Sequence, residues 1–332
     1  MSVSTRRPDG SSCPEGTALL ILSEGALASI PLDAHDLVES LDAAFRNGPD
    51  ECVSGLKAQA PGIDGASFQA LPALLAGERL AALKWVRVGG AEPSRRRIRS
   101  TTLLADAASG EILALLSSSG LTAIRTAAMS ALAARYLRPE GGAIIGFLGC
   151  GVQARAHLDL FTRLDTGIRT VLAHAPNSAE AFAGYARTRG LDAHVVADPC
   201  RLIAQADVVI STVAPQLQPA PRPFDAAWLK PTAFASLVDL GRPWAELAAD
   251  CGRRVFTDYV AQSTALVAQG KMNAPNSFAG DLYGLARGEP RMPRHGPDIF
   301  LFGGLGMCDA VVARLVYRRA LKSGIGIHAD FE

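Results

Sequence analysis

The sequence lacks the features of a membrane-spanning or nucleic-acid-binding protein. Its longest apolar runs, such as "GTALLILSEGALASI", are well short of the roughly 20 residues that a membrane-spanning helix needs. Its net charge at pH 7 is only +1, so it has no excess of positive charge for binding phosphate backbones or anionic lipids. The polar start, "MSVSTRRPDGSSCPEG", contains no apolar signal-peptide core. We therefore expect a cytoplasmic protein with a frayed N-terminal tail.

The sequence also lacks the spacings of a metal site. No two cysteines form a CxxC pair, none lies at zinc-ligand spacing from a histidine, and the six histidines are dispersed. We expect no metal, and we expect reduced thiols in a cytosolic protein. The scattered cysteines are Cys13, Cys52, Cys150, Cys200, Cys251 and Cys308.

The first third of the chain has the pattern of an α+β unit. Residues 33–48, "DAHDLVESLDAAFRNG", predict an amphipathic helix with Asp33 as its N-cap. Short apolar runs at 17–25, 80–88, 100–106 and 111–117 predict strands. The last two runs flank "DAASGE", which is a hairpin signal. We therefore expect a largely antiparallel sheet here.

The pattern changes near residue 122 to helices that alternate with strands. The alanine-rich helix "TAIRTAAMSALAARYL" is followed by "GAIIGFLG", "VQARAHLDLFTRL", "IRTVLAHA" and further alternating runs. Such alternation indicates βαβ units and a parallel sheet. The chain ends with a predicted helix over 306–324. At 332 residues, we expect two domains, one formed by 1–125 and completed by 304–332, the other by 126–303.

The segment "GFLGCGVQARAH" links a predicted strand to a predicted helix and fits the pattern GxGxxG/A. Gly149 permits the tight turn, Gly151 lets a pyrophosphate approach the backbone, and Ala154 lets helix and strand pack closely. The free N–H groups and positive dipole of the helix N-terminus suit the phosphates. The sequence therefore predicts a dinucleotide site, although a βα turn without a ligand would show the same pattern.

Residues beyond the glycine loop bear on which dinucleotide binds. The second strand ends in "VLAHAPN", with His174 and Asn177 where an acidic residue would bind the ribose hydroxyls of NAD. Since no arginine is poised there for a 2′-phosphate either, NAD is slightly favoured over NADP. The candidate cofactor contacts are Gly149, Gly151, Val152, Gln153, Ala154, His174, Asn177, Thr212 and Val213.

The glycine loop and the alanine-rich helix before it resemble the ornithine cyclodeaminase/mu-crystallin family. That family carries an RTxAxSALAA helix directly before a GxGxQA loop, and "WLKPTAFASLVDLG" and "DIFLFGGLGMCDAVVARLVYRRAL" are similar to its later segments. The resemblance covers almost the whole chain. It implies a Rossmann-type doubly wound parallel sheet inserted into an α+β substrate and dimerisation domain, a nicotinamide dinucleotide and a homodimer. It also implies hydride transfer between amino acids and imino or keto acids.

Three cations match the family's motifs. Arg125 in "IRTAA" corresponds to the arginine that binds the substrate carboxylate, Lys84 in "LKWV" to the active-site lysine, and Lys57 in "SGLKAQ" to a position that is usually arginine. A guanidinium binds a carboxylate bidentately. A buried lysine with a lowered pKa can exchange the proton of the amine. Each cation could instead be a surface ion-pair residue.

One departure from the family bears on the reaction. Cyclodeaminases carry an aspartate where this chain has Gly241, and its own aspartate, Asp239, comes two residues earlier. This variant resembles the branch that oxidises N-substituted amino acids, including the N-(2-amino-2-carboxyethyl)glutamate dehydrogenase of 2,3-diaminopropionate synthesis. We take Asp239 as a candidate catalytic residue that orients the amine or water.

An arginine-rich loop offers a further candidate substrate contact. "PSRRRIR" has four arginines within positions 95–99 and is either a solvated turn or an anion clamp. Arg99 is the candidate substrate ligand because it enters the next strand.

Three functions remain open at this stage. The first is an NAD(P)-dependent amino acid dehydrogenase or imine reductase. The second is an ornithine or lysine cyclodeaminase that recycles its NAD. The third is a mu-crystallin-like binding protein, which the retained Arg125 and Lys84 disfavour.

Overall fold

The computed structural model describes residues 18–90, 98–138, 141–164, 167–214, 221–245, 247 and 252–330. Residues Cys13, Cys251 and Arg95–Arg97 of the sequence-based predictions lie outside these ranges. The helices are α1 (Glu24–Ser29), α2 (Ala34–Asn47), α3 (Ser119–Leu137), α4 (Val152–Arg163), α5 (Ala179–Arg187), α6 (Pro199–Gln205), α7 (Val260–Ala268), α8 (Leu282–Ala286) and α9 (Gly306–Ser323). The strands are β1 (Leu19–Leu22), β2 (Cys52–Ser54), β3 (Ala58–Pro61), β4 (Ala66–Leu75), β5 (Leu80–Gly89), β6 (Arg99–Asp106), β7 (Ile112–Ser117), β8 (Ile144–Leu148), β9 (Thr170–His174), β10 (Asp192–Val195), β11 (Val208–Ser211), β12 (Phe234–Leu237), β13 (Arg254–Thr257), β14 (Gly280–Asp281), β15 (Asp298–Leu301) and β16 (Ile327–Ala329).

The first sheet is mostly antiparallel and uses both ends of the chain. Its order is β16-β1-β7-β6-β5-β4-β2, with β3 also paired to β4. All neighbours are antiparallel except β1 and β7. The predicted hairpin joins β6 to β7, where Asp106 accepts hydrogen bonds from Ala108 N and Ser109 N. Because β16 pairs with β1, the C-terminal segment completes this sheet.

The second sheet is parallel throughout and lies between the two halves of the first unit in sequence. Its order is β10-β9-β8-β11-β12-β15-β13-β14. The chain starts at β8 in the middle, moves outwards to β10, and then returns across β11 to the other edge. This reversal next to β8 is the switch point at which doubly wound sheets bind ligands. The fold is therefore α/β, with a Rossmann-type sheet as predicted.

Two long helices connect the sheets and carry much of the core. On α3, "RTAAMSALAA" is almost wholly buried, because its small side chains let α2, α4 and α9 pack closely around it. Helix α9 packs against β4, β5 and β6. The domain boundary expected near residue 125 falls inside α3, so this helix belongs to both units. The division into substrate and dinucleotide domains stays a prediction.

Candidate active site

The glycine loop lies between β8 and α4 at the centre of the parallel sheet. Gly149 has φ +84°, and a Cβ at this position would lie 2.8 Å from the carbonyl oxygen of Thr212. Only glycine fits this conformation and this space. The Gly149 N–H donates to His174 O at 2.9 Å, and Thr212 Oγ1 donates to Gly149 O at 2.8 Å. The loop is therefore tied to the ends of β9 and β11.

The first turn of α4 has room for an anion. Among the described residues, a Cβ built on Gly151 would meet no atom within 4 Å. The side chain of Val152 is 75% exposed, whereas Ala154 is fully buried against the sheet. Gln153 Oε1 is buried without a hydrogen-bond partner among the described residues, but as an acceptor it does not itself bind a phosphate. The open space at Gly151 and the N–H groups of the helix N-terminus fit a bound pyrophosphate.

His174 ends β9 and Asn177 follows it, at the place where the sequence predicts the ribose contacts. His174 Nδ1 contacts Val196 O at 3.0 Å, and its ring is perpendicular to that of Phe224. Asn177 is exposed in the turn that follows. Neither residue has the acidic group that usually selects NAD or the guanidinium that binds a 2′-phosphate.

Asp239 lies just after β12, at the same edge of the sheet as the glycine loop. Its Oδ2 accepts hydrogen bonds from Ser211 Oγ and from Val213 N, and its Oδ1 accepts from Gly241 N at 3.2 Å. Burial raises the pKa of this carboxyl to about 7, although the three donors oppose the shift. Within the described part of the chain, no hydrogen bond or ion pair joins Asp239 to Lys84 or Arg125.

Lys84 and Arg125 share one buried carboxylate, which belongs to Asp309. Lys84 Nζ and Arg125 Nε each lie 2.9 Å from Asp309 Oδ1. All three residues are less than 9% exposed. Arg125 Nη1 lies 3.6 Å from Met129 Sδ. The backbone of Gly304 lies against the other end of the guanidinium, since a Cβ built there would lie 2.8 Å from Nη1 and 3.3 Å from Nη2.

The fold brings these three residues together from distant parts of the chain. Lys84 lies on β5, opposite Thr102 of β6, on the sheet face that α9 covers. Helix α9 lies close to this face because Gly306 has no side chain. A Cβ at this position would lie only 2.8 Å from the Pro72 carbonyl oxygen of β4. This close contact places Asp309, one turn later, above Lys84 and beside Arg125.

The charges of this cluster shift the pKa values of its members. Burial lowers the pKa of Lys84 to about 8; Asp309 opposes this shift, while Arg125 and Lys57 add to it. Burial would raise the pKa of Asp309, but Arg125 and Lys84 lower it below its usual value. The cluster therefore contains a stable anion and a lysine that can exchange its proton near neutral pH.

Lys57 extends the cluster toward the crossover between the sheets. Its Nζ donates to Gly303 O at 3.3 Å, and its pKa is lowered by burial and by Arg125. The next residue, Gly304, donates its N–H to the buried Asp258 at 2.7 Å. Lys57, Lys84 and Arg125 are thus brought into one electrostatic cluster.

Helix α3 links the cation cluster to the glycine-loop helix. Ser130 Oγ contacts His157 Nε2 of α4 at 2.9 Å and Ser236 Oγ of β12 at 2.8 Å. His157 Nδ1 lies 2.7 Å from Gln153 O, so this nitrogen carries the proton and Nε2 accepts from Ser130. Arg125 is therefore little more than one helical turn from a residue that contacts α4.

Arg99 is not part of this cluster. It lies on β6 opposite Arg87, is exposed, and alternates with the buried Ser100 and Thr102. Its side chain therefore projects from the sheet face opposite Lys84. Substrate binding by Arg99 stays a prediction.

The sequence analysis did not identify Asp309 or Asp258. Asp309 carries a signal in "GMCDAVVARLVY", where one acidic residue interrupts an otherwise apolar helix face. An unpaired carboxylate there would be costly, so its presence implies a buried cation. Asp258 has no comparable signal.

Metal-ligand clusters and membrane-spanning helices are both absent from the described ranges. They contain no cluster of three or more histidine, cysteine, aspartate or glutamate side chains suited to a metal ion. Within the same ranges, no helix combines the length and apolarity needed to cross a membrane.

The sequence of residues 30–324 matches the ornithine cyclodeaminase/mu-crystallin family. The mouse ketimine reductase mu-crystallin is 31% identical over 227 residues, which is 66% of this chain and 69% of the relative. The Δ1-pyrroline-2-carboxylate reductase of Bacillus cereus is 28% identical over 251 residues, or 71% and 76% of the two chains.

A solved structure also shares the fold. An archaeal alanine dehydrogenase, determined as a dimer with bound NAD, superposes with a TM-score of 0.80. The two chains are 23% identical, and the match covers 95% of this chain and 99% of the other. At this identity, the likeness shows the architecture of both sheets.

Proposed function

The chain belongs to the ornithine cyclodeaminase/mu-crystallin family, and we propose that it is an NAD(P)-dependent oxidoreductase acting at the α-carbon of an amino acid or N-substituted amino acid. The reaction gives an imine or keto acid, or runs in reverse as imine reduction. The observation that carries this proposal is the buried pair of cations, Lys84 and Arg125, that share the carboxylate of Asp309. When bound, the nicotinamide supplies or accepts the hydride.

Each cation has a distinct role in this proposal. Arg125 binds the substrate carboxylate through the guanidinium edge that Asp309 does not occupy, which orients the α-carbon. Lys84 transfers a proton to or from the substrate nitrogen, because its pKa of about 8 lies near working pH. Lys57 adds positive charge at the carboxylate end of the site. Asp239 orients the amine or a water molecule.

For the cofactor, we propose the dinucleotide contacts predicted from the glycine loop and strand ends. Gly151 and Gln153 face the pyrophosphate, and His174, Asn177, Thr212 and Val213 line the nucleoside positions. NAD is slightly favoured over NADP, since the described residues at the end of β9 offer no cation for a 2′-phosphate. This preference is tested by comparing both reduced cofactors.

The position of Asp239 bears on which of two candidate reactions the enzyme catalyses. Its position two residues before Gly241 favours oxidation of N-substituted amino acids, of the kind performed by N-(2-amino-2-carboxyethyl)glutamate dehydrogenase. Cyclodeamination of ornithine or lysine is the second candidate, and it requires Asp239 to reach the position that corresponds to Gly241. The two reactions differ in whether the cofactor is changed at the end of turnover.

We also propose a homodimer formed through the uncovered face of the first sheet. Leu83 and Trp85 are 38% and 48% exposed there, and Trp85 stacks on Phe68. Exposed apolar patches of this kind mark interaction surfaces.

Cys52, Cys150, Cys200 and Cys308 are free thiols, which supports the cytoplasm as the proposed location.

The test is an incubation with NAD⁺ or NADP⁺ and a panel of free, N-carboxyalkyl and diamino acids, with the matching imines and NADH or NADPH in reverse. Absorbance of the reduced nicotinamide and product mass are followed together. Reduced cofactor accumulating with a keto acid or imine supports the proposal. Ammonia loss without net reduction would establish a cyclodeaminase, and dinucleotide binding without turnover would indicate a binding protein.

A further inference from the structure

Among the described residues, Asp309 has hydrogen-bond partners at only one of its two carboxylate oxygens. Oδ1 accepts from Lys84 Nζ and Arg125 Nε. Oδ2 is buried, and no donor among the described residues reaches it. Buried carboxylate oxygens nearly always have hydrogen-bond donors. The free oxygen therefore calls for a donor that the described part of the chain does not provide.

The charges around Asp309 restrict what this donor can be. Lys84, Arg125 and Lys57 are the cations of the cluster, and Asp258 is the other buried acid nearby. Lys84 and Arg125 stabilise the anionic form of Asp309, so Oδ2 accepts hydrogen bonds and repels other anions and carbonyl oxygens. Of the groups on an α-amino acid or its imine, the protonated nitrogen is the one that can donate to it.

We propose that Asp309 is a specificity-determining residue that binds the substrate nitrogen through Oδ2 while its Oδ1 holds Lys84 and Arg125. This inference rests on the proposed function. An amine or a protonated imine donates an N–H to Oδ2, whereas the oxygen of a 2-oxo acid is repelled. Asp309 therefore selects the imine over the ketone with which it equilibrates in water.

The experiment compares ligands that differ only at the nitrogen. The enzyme with NADH bound is titrated with L-proline and with cyclopentanecarboxylate, and with L-alanine and isobutyrate, by calorimetry. We expect the wild-type enzyme to bind at least one amino acid about tenfold or more tightly than its nitrogen-free partner. In Asp309→Asn this ratio falls toward one. Both members of a pair carry the carboxylate, so effects transmitted through Arg125 cancel in the ratio. Effects transmitted through Lys84 are separated by repeating the titration in Lys84→Met, where adding Asp309→Asn should still lower the ratio.

Asp42→Asn is the matched control, since Asp42 is also a buried carboxylate and contacts Tyr136, Arg46 and Arg135 away from this site. It should keep the wild-type ratio. An unchanged ratio in a folded Asp309→Asn protein would overturn the proposal, as would a wild-type enzyme that binds both members of each pair equally. The second result needs no variant. If Asp309→Asn no longer distinguishes the amino acid from its nitrogen-free partner, the proposal is supported even when no tested imine is reduced. A failure of the proposed function can therefore be told apart from a failure of this inference.

Discussion

Lys84 forms a buried ion pair with Asp309, at an N–O distance of 2.9 Å, although the two residues are 225 positions apart. The contact joins β5 of the first sheet to the C-terminal helix. It explains why the chain returns to its first unit after building the parallel sheet. Helix α9 both covers Lys84 and supplies its anion, and removing the carboxylate alone would leave a buried unpaired cation, which is strongly unfavourable.

Replacing Lys84 tests its role as the proton donor. We expect Lys84→Met to lower kcat/KM for imine reduction by about 100-fold or more, because general acid catalysis is lost. In the wild type, the same rate should fall above about pH 8, as the ammonium loses its proton. Steady-state kinetics from pH 6 to 10 measure both effects, with the exposed Lys322→Met as control. A Lys84→Met enzyme with wild-type kcat/KM would rule out this role.

Replacing Arg125 tests carboxylate binding. Arg125→Lys keeps the charge but loses the bidentate fork, so KM for the substrate should rise about tenfold or more. Arg135→Lys, on the same helix and in a surface pair with Glu39, should leave KM unchanged. NADH binding, measured by fluorescence, confirms that each variant is folded. An unaltered KM in Arg125→Lys would show that the carboxylate binds elsewhere.

Substitutions of the two loop glycines should have different effects, one on dinucleotide binding and the other on stability. Gly151→Val points into open space, so the protein should keep its melting temperature but lose dinucleotide binding. Gly149→Ala adds a Cβ against the Thr212 carbonyl at positive φ and should cost about 1–3 kcal/mol of stability. Thermal unfolding and NADH titration of both variants check this. If Gly151→Val binds NADH with wild-type affinity, the dinucleotide does not bind at this glycine loop.

His157 should make the protein sensitive to acid. Burial lowers its pKa to about 4 from 6.5, so between these pH values the unfolded chain binds a proton that the native protein excludes. The contribution of His157 to the free energy of unfolding is therefore present at pH 7 and is lost as the pH falls toward 4. From pH 7 to pH 5 the loss is about 2 kcal/mol.

Urea unfolding of His157→Gln at pH 7 and pH 5 isolates this contribution. The variant should show a smaller pH dependence than the wild type, while His328→Gln, at an exposed position, should match the wild type. Equal pH dependence in wild type and His157→Gln would contradict the assignment.

Local requirements made part of this structure predictable from sequence. Gly149, Gly151 and Ala154 follow from the geometry of one turn, and the alternation after residue 122 predicts the parallel sheet. The same holds for the helix beginning after Asp33, whose side chain accepts from His35 N and Asp36 N.

Long-range relationships were not predictable in this way. Asp309 becomes a partner of Lys84 only when α9 packs on β5, and no local pattern encodes that contact. Arg99 shows the same limit, since its sheet face depends on the pairing of β6 with β5. The short helix α1 was missed inside the run taken as a first strand, because Ser23 caps a new helix directly after Leu22.

The most direct test of the central claim is a single turnover with NADH or NADPH carrying deuterium at both C4 positions and an imine identified from the substrate panel. We predict one deuterium on the α-carbon of the amino acid product and one oxidised cofactor per amine formed. An amine without deuterium at that carbon would contradict hydride transfer to the α-carbon.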